Sequence, residues 1–123
     1  MNLKHRIELA RSKDTYSNCI GFALYLLGIN NPEKFINTDN PFVNYSLSNY
    51  FTKVPLLEKE GDLITFNDYS PKVKDVWHMA VVLNPNSGLC VHRNGVGSII
   101  EYSSLDSMKK LYMLCIARFY RKN

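Results

Sequence analysis

The spacing of apolar residues along the chain changes near residue 60, from a helical period before that point to strand alternation after it. Residues 3–13 and 18–27 each carry apolar side chains at helical spacing, and Gly28 ends the second helix. Strand patterning follows at residues 62–66, 76–83, 89–93, 98–102 and 111–120. The sequence therefore predicts an α+β fold, in which N-terminal helices pack on one face of an antiparallel sheet of about five strands.

The size and composition of the chain favour one domain. At 123 residues and 46% hydrophobic, residues 1–123 are predicted to share a single core. The longest apolar stretch, residues 20–29, is shorter than the ~18 residues of a membrane span, so no span is expected. The first residues lack the apolar segment and cleavage site of a secretory signal. We therefore expect a cytoplasmic location, or export by a non-classical or phage-lysis route.

The charged residues and cysteines exclude several kinds of partner. The net charge of +4 comes from scattered lysines and a basic end, without the clustered basic and aromatic motifs of a nucleic-acid reader, so no nucleic-acid partner is expected. Three cysteines make an odd count without Cys-x-x-Cys spacing. Reduced thiols, no metal and no cofactor are therefore expected, with Cys90 and Cys115 interpreted as packing residues.

Cys19 lies at the start of the second predicted helix, on its apolar stripe. The first turn of a helix leaves backbone N–H groups unpaired and carries a partial positive charge, and both stabilise a thiolate. A cysteine on an apolar stripe is more often a small core residue, so position alone does not decide its role. The sequence predicts Cys19 as a nucleophile only if a base lies nearby, with Ser17 or Asn18 capping the helix.

Two later strands each carry a histidine that could act with this cysteine. Strand alternation puts His78 on one face with Ala80, and His92 on a face with Cys90. If these strands pair, and if the His78 face packs on the Cys19 helix, His78 can take the thiol proton and His92 can orient the imidazole. Taken alone, a strand histidine is more often a partly exposed, satisfied polar group than a base. Three further residues are predicted to contact substrate: Tyr16, Asn18 and Trp77.

Four short motifs in order resemble the NlpC/P60 cysteine peptidases. Asn18-Cys19-Ile20-Gly21-Phe22 resembles the Asp-Cys-Ser-Gly-Phe motif of that family. Residues 61–66 resemble its Gly-Asp-Leu strand, residues 78–83 resemble its His-Val-Gly-Ile-Tyr-Leu strand, and His92 falls where the family has its third polar residue. The resemblance covers roughly residues 16–120, with 59 residues from Cys19 to His78 and 14 from His78 to His92.

This resemblance implies a papain-like α+β fold and a minimal catalytic domain of a bacterium or phage. It implies that Cys19 attacks an amide carbonyl, that His78 is general base and then acid, and that His92 orients His78. The expected reaction is hydrolysis of peptidoglycan stem peptides through an acyl-enzyme, without a metal. Asn18 and Ile20 replace the family's Asp and Ser, which alters the substrate-side wall of the cleft. Such an enzyme could also be bound by an inhibitor or immunity protein.

Two other functions fit the same motifs. An acyltransferase or protein deamidase would keep the fold and the thioester chemistry, although acyltransferase relatives usually place the histidine before the cysteine. A non-enzymatic binding module would keep the fold alone and would have an unreactive thiol. Residues 30–60 are rich in loop signals, and the sequence leaves open whether they cover the cleft.

Overall fold

The computed structural model describes residues 2–12, 17–30, 35–37, 41–69, 76–94 and 99–123. These ranges contain four helices: α1 (Leu3–Ser12), α2 (Cys19–Leu26), α3 (Pro41–Tyr50) and α4 (Leu105–Leu111). They also contain six strands: β1 (Phe51–Val54), β2 (Leu63–Asp68), β3 (Val76–Asn84), β4 (Leu89–Arg93), β5 (Ile100–Ser104) and β6 (Cys115–Lys122). Within the same ranges, no helix is both long and apolar enough to cross a membrane.

The predicted α+β architecture is confirmed, and the sheet is antiparallel throughout. It has six strands in the order β1-β6-β2-β3-β4-β5, one more than the sequence predicted. The extra strand, β1, is short and only Phe51 is fully buried in it, so its alternation signal is weak. The predicted strand 111–120 is wrong in its first part, because α4 ends at Leu111 and β6 begins at Cys115.

Helix α2 is the centre of the fold, since all eight of its residues are buried. Asn18 caps its start by accepting a hydrogen bond from Gly21 N at 3.0 Å. Gly28, at φ 78°, ends it: Gly28 N donates to Tyr25 O and Ile29 N donates to Leu24 O, which is a Schellman motif. The helix is thereby fixed at both ends, and its first residue, Cys19, has a defined position.

Both faces of the sheet are covered. One face carries Met79, Val81 and Val91, which pack in a core cluster with α1 and α2. The other face carries Ala80 and the further buried residues of a second cluster, which packs against Met108 of α4: Ile64, Phe66, Val82 and Cys90. The N-terminal helices therefore lie on one face as predicted, and α4 adds a cover on the opposite face.

A partly buried ion pair joins the turn before β2 to the end of β6. Asp62 is almost fully buried, and its carboxylate accepts two hydrogen bonds from Arg121, at 2.9 and 2.8 Å. It also accepts the backbone N–H groups of Glu58 and Lys59. Burial alone would raise the pKa of Asp62, but these bonds outweigh it and lower that pKa. The aspartate of the Gly-Asp-Leu motif thus has a structural role, because it anchors the turn before β2.

Candidate active site

Strands β3 and β4 separate at one end, and the Cys19 thiol occupies the resulting gap. Val82 N donates to Asp62 O, so the alternate residues Met79 and Val81 direct their backbone groups away from β2 and toward β4. The first paired residues of β3 and β4 are Val81 and Val91. The β3 backbone on the N-terminal side of Val81 is therefore not paired with β4. The Cys19 Sγ donates to Trp77 O at 3.7 Å and accepts a hydrogen bond from Met79 N–H. The thiol thus contacts the backbone on both sides of His78.

A β-bulge shapes this contact. Phe66 pairs with His78, whereas the next residue of β2, Asn67, pairs with Val76, so Trp77 is the extra residue of β3. A bulge locally interrupts the ladder of backbone hydrogen bonds and re-aims the groups beside it. The Trp77 carbonyl is therefore available to the thiol, at the strand position directly before the candidate base.

In the resting protein the thiol is neutral. Burial raises the pKa of Cys19, and hydrogen bonds from the backbone N–H groups of Met79, Ile20 and Cys19 itself lower it by less. The backbone N–H groups at the helix start therefore do not offset burial in this state. Among the N–H groups that the helix start leaves without a helical partner, that of Gly21 is already bonded to the Asn18 side chain. A thiolate would have to form by proton transfer to a nearby base.

His78 and His92 form a buried hydrogen-bonded pair. His78 Nε2 lies 2.9 Å from His92 Nδ1, and His92 Nε2 lies 3.0 Å from Ser103 Oγ. Both histidines are 1% exposed. This is the pairing that the sequence predicted for an orienting third residue, and it leaves Nδ1 of His78 outside the pair. Ser103 is an additional member that the sequence analysis missed.

The same burial keeps both imidazoles neutral. Desolvation and the neighbouring His92 lower the pKa of His78 to about 3. Desolvation also lowers the pKa of His92, against the opposing influence of Glu101 and Asn94. A neutral imidazole is the form that accepts a proton, so His78 has the protonation state of a general base across the whole neutral range.

Tyr112 packs on the candidate base from the side of α4. Its ring stacks on the His78 ring with 4.6 Å between centroids and 15° between planes, and it also lies 5.0 Å from the Phe66 ring. The sequence analysis missed this residue, because the apolar run around it fits the predicted strand. Tyr112 fixes the plane of the imidazole and helps to exclude water from it.

The structure corrects one step of the sequence prediction. The His78 face of β3 was expected to pack on the Cys19 helix, yet that face, marked by Ala80, belongs to the cluster covered by α4. Helix α2 instead packs on the opposite face, against Met79. Cys19 meets β3 at the strand backbone, through the gap toward β4, rather than across a layer of side chains.

The three residues predicted to contact substrate differ in their surroundings. Tyr16 lies outside the described residues. Asn18 caps α2, and its amide also donates to Ile36 O at 2.7 Å while its oxygen accepts from Ile36 N, so the side chain is engaged in the fold. Trp77 is half exposed beside the gap, and its indole Nε1 donates to Asp68. Substrate contact by any of the three stays a prediction.

Among the described residues, neither of the other two cysteines is hydrogen-bonded to His78 or His92. Cys90 is fully buried in the cluster under α4, its Sγ donates to Gly88 O, and burial raises its pKa to about 12. Cys115 is partly exposed at the start of β6, and all three cysteines are free thiols. Within the described ranges, no group of three or more His, Cys, Asp or Glu side chains is arranged to hold a metal ion.

Comparisons with protein-family models, with curated proteins and with solved structures give no match to this chain. The resemblance to the NlpC/P60 peptidases rests on the four short motifs around Cys19, Asp62, His78 and His92.

Proposed function

We propose that this protein is a cysteine-nucleophile amide hydrolase with Cys19, His78 and His92 as its catalytic group. One observation carries the proposal: the Cys19 thiol is hydrogen-bonded to the backbone carbonyl of Trp77, directly before His78, and the ring of that histidine is hydrogen-bonded to His92. A nucleophile, a base and an orienting group in this order are the parts that acyl transfer to a thiol needs. The papain-like, NlpC/P60-type fold is part of the same proposal.

In the proposed reaction, Cys19 Sγ attacks the amide carbonyl as its proton passes to Nδ1 of His78. The imidazolium that forms is stabilised by its Nε2–H bond to His92, and it then donates the proton to the leaving amine as the C–N bond breaks. A water molecule, deprotonated by His78, attacks the thioester and releases the carboxylic acid and the thiol. The backbone N–H groups of Cys19 and Ile20, which lower the pKa of the thiol at the helix start, can donate to the oxyanion.

The proposed substrate is an amide bond of a peptidoglycan stem peptide. The four motifs that resemble the NlpC/P60 family support this class. The formal charge of +4 favours approach to an anionic polymer such as a cell wall. Asn18 stands where the family has aspartate, and its amide is bound to Ile36, so the side chain beside the nucleophile carries no negative charge. We therefore expect the preferred stem peptide to differ from that of family members with the acidic residue.

Digestion of purified peptidoglycan tests the proposal. The intact protein is expected to release new amino and carboxyl termini from at least one wall type, seen by mass analysis of the soluble products. Cys19→Ala should abolish the release, because no thioester can form without the sulfur. Cys90→Ala, which removes a thiol without bonds to either histidine, is the matched control and should keep the activity.

A non-enzymatic binding module is the second candidate, and one observation favours it: the resting thiol bonds to the Trp77 carbonyl, and burial raises its pKa. This candidate predicts that Cys19→Ala binds peptidoglycan as the wild type does and that neither protein releases a terminus. Transfer to an amine, or deamidation of a protein glutamine, would instead give products that depend on Cys19 only when an acceptor or a protein substrate is supplied.

A further inference from the structure

The hydrogen bonds of His92 tie its protonation to that of His78. His92 Nδ1 is bonded to His78 Nε2 at 2.9 Å, and His92 Nε2 is bonded to Ser103 Oγ at 3.0 Å. A neutral imidazole has one N–H and one lone pair. The nitrogen of His92 that carries the proton therefore determines which nitrogen of His78 carries it.

Two arrangements satisfy these bonds, and they differ at the candidate base. If Ser103 accepts from His92 Nε2–H, then His92 Nδ1 accepts from His78 Nε2–H, and Nδ1 of His78 has a free lone pair. If Ser103 donates to His92 Nε2, the two protons lie on the Nδ1 atoms. In that second arrangement Nδ1 of His78 cannot accept the thiol proton, since it already holds one.

Groups beside His92 favour its protonation, and the role of His78 as base then decides between the two arrangements. Asn94 donates its amide to Glu101 Oε2 at 2.7 Å, which leaves the Asn94 oxygen as an acceptor. Glu101 pairs with His92 across the sheet, and both Glu101 and Asn94 raise the pKa of His92 against the influence of burial. Neutral His92 holds one proton in either arrangement, so these groups alone do not select one. The role of His78 as base needs a lone pair on its Nδ1, and only the first arrangement provides it.

We infer that Ser103 is a positioning residue, whose hydroxyl accepts the Nε2 proton of His92 and so leaves Nδ1 of His78 free to act as base. The inference rests on the proposed function, which gives His78 the role of base, but the proton positions can be measured without any reaction. Ser103 does not touch the thiol. It acts through two successive hydrogen bonds.

Nitrogen-15 NMR of the histidine rings in the intact protein at pH 7 tests this directly. The expected spectrum has both His78 and His92 as Nε2–H tautomers. In Ser103→Ala the Nδ1–H fraction of both rings is expected to rise, whereas Ser103→Thr, which keeps the hydroxyl, should restore the wild-type spectrum. With a peptidoglycan that the wild type cleaves, Ser103→Ala should lower kcat about 10-fold and change KM little. This is expected because fewer molecules hold His78 as the Nε2–H tautomer that can accept the thiol proton.

The NMR spectra test this inference independently of the proposed function. Nδ1–H tautomers in the wild type, or a spectrum that Ser103→Ala leaves unchanged, would overturn the inference even for an active enzyme. Nε2–H tautomers that shift in Ser103→Ala would support it even if no amide substrate is cleaved, a result that counts only against the hydrolase. The wild-type spectrum needs no variant, so the test holds even if Ser103→Ala folds poorly.

Discussion

Replacement of His78 by glutamine is expected to lower kcat/KM for a cleaved peptidoglycan peptide by roughly 10²- to 10⁴-fold, the usual contribution of a positioned general base. Glutamine keeps a side-chain amide near His92 but cannot take the thiol proton at neutral pH. Because burial raises the pKa of Cys19, the thiolate does not form unaided. Removal of the base should therefore lower kcat far more than it changes KM. Steady-state kinetics on a purified stem peptide would measure it.

His5→Gln is the matched control, since His5 is an exposed histidine of α1 and has no part in the proposed catalytic group. It should leave both kcat and KM unchanged. Equal activity of His78→Gln and His5→Gln would show that His78 is not the base, provided that both variants have the circular dichroism spectrum of the wild type.

The stability of the fold should fall as the pH is lowered from about 6.5 to 4. Burial and the neighbouring His92 depress the pKa of His78 in the folded protein from 6.5 to about 3. In this pH range the unfolded chain therefore binds a proton at His78 and the folded chain does not. The stabilisation from His78 is complete above its pKa in the unfolded chain, 6.5. It is lost progressively as the pH falls toward the pKa in the folded protein, about 3. At 1.36 kcal/mol per pH unit, the loss from this residue is about 3 kcal/mol at pH 4.

Urea unfolding at pH 7, 6, 5 and 4 measures this dependence as the change in the free energy of unfolding. The pKa of His92 is also lowered by burial, so His92 adds to the slope in the same direction. The pKa of Asp62 is lowered from 3.8, and its contribution is lost only below the range tested. His78→Gln should flatten the slope while His5→Gln keeps it. A wild-type slope retained in His78→Gln would contradict the assignment.

Much of the architecture follows from local sequence. The prediction for residues 89–93 is confirmed residue by residue as β4, because turn residues bound this short segment on both sides in the sequence. The Asn18 cap and the Gly28 stop of α2 are likewise local signals. The strand predicted at residues 111–120 begins too early because the end of α4, a turn and the start of β6 follow one another in one apolar stretch.

The candidate site could be predicted only in part. Chain order was enough to pair His78 with His92, since a hairpin brings those two strands together. The contact of Cys19 with β3 depends on a bulge at Trp77 and on the separation of β3 from β4, and both are set by pairing between distant strands. The roles of Tyr112 and Ser103 likewise arise from contacts between distant segments, which residue spacing does not encode.

The pH dependence of Cys19 alkylation by iodoacetamide, resolved by peptide mapping, tests the central claim most directly. Cys115, a partly exposed free thiol, is the internal reference in the same molecule, and its rate should rise about tenfold per pH unit below its pKa. If His78 takes the Cys19 proton as the bond to carbon forms, the Cys19 rate should be nearly constant from pH 5 to 8, because both partners stay neutral there. His78→Gln should restore the tenfold rise at Cys19 and leave Cys115 unchanged. A tenfold rise at Cys19 already in the wild type, unaltered by His78→Gln, would contradict the account.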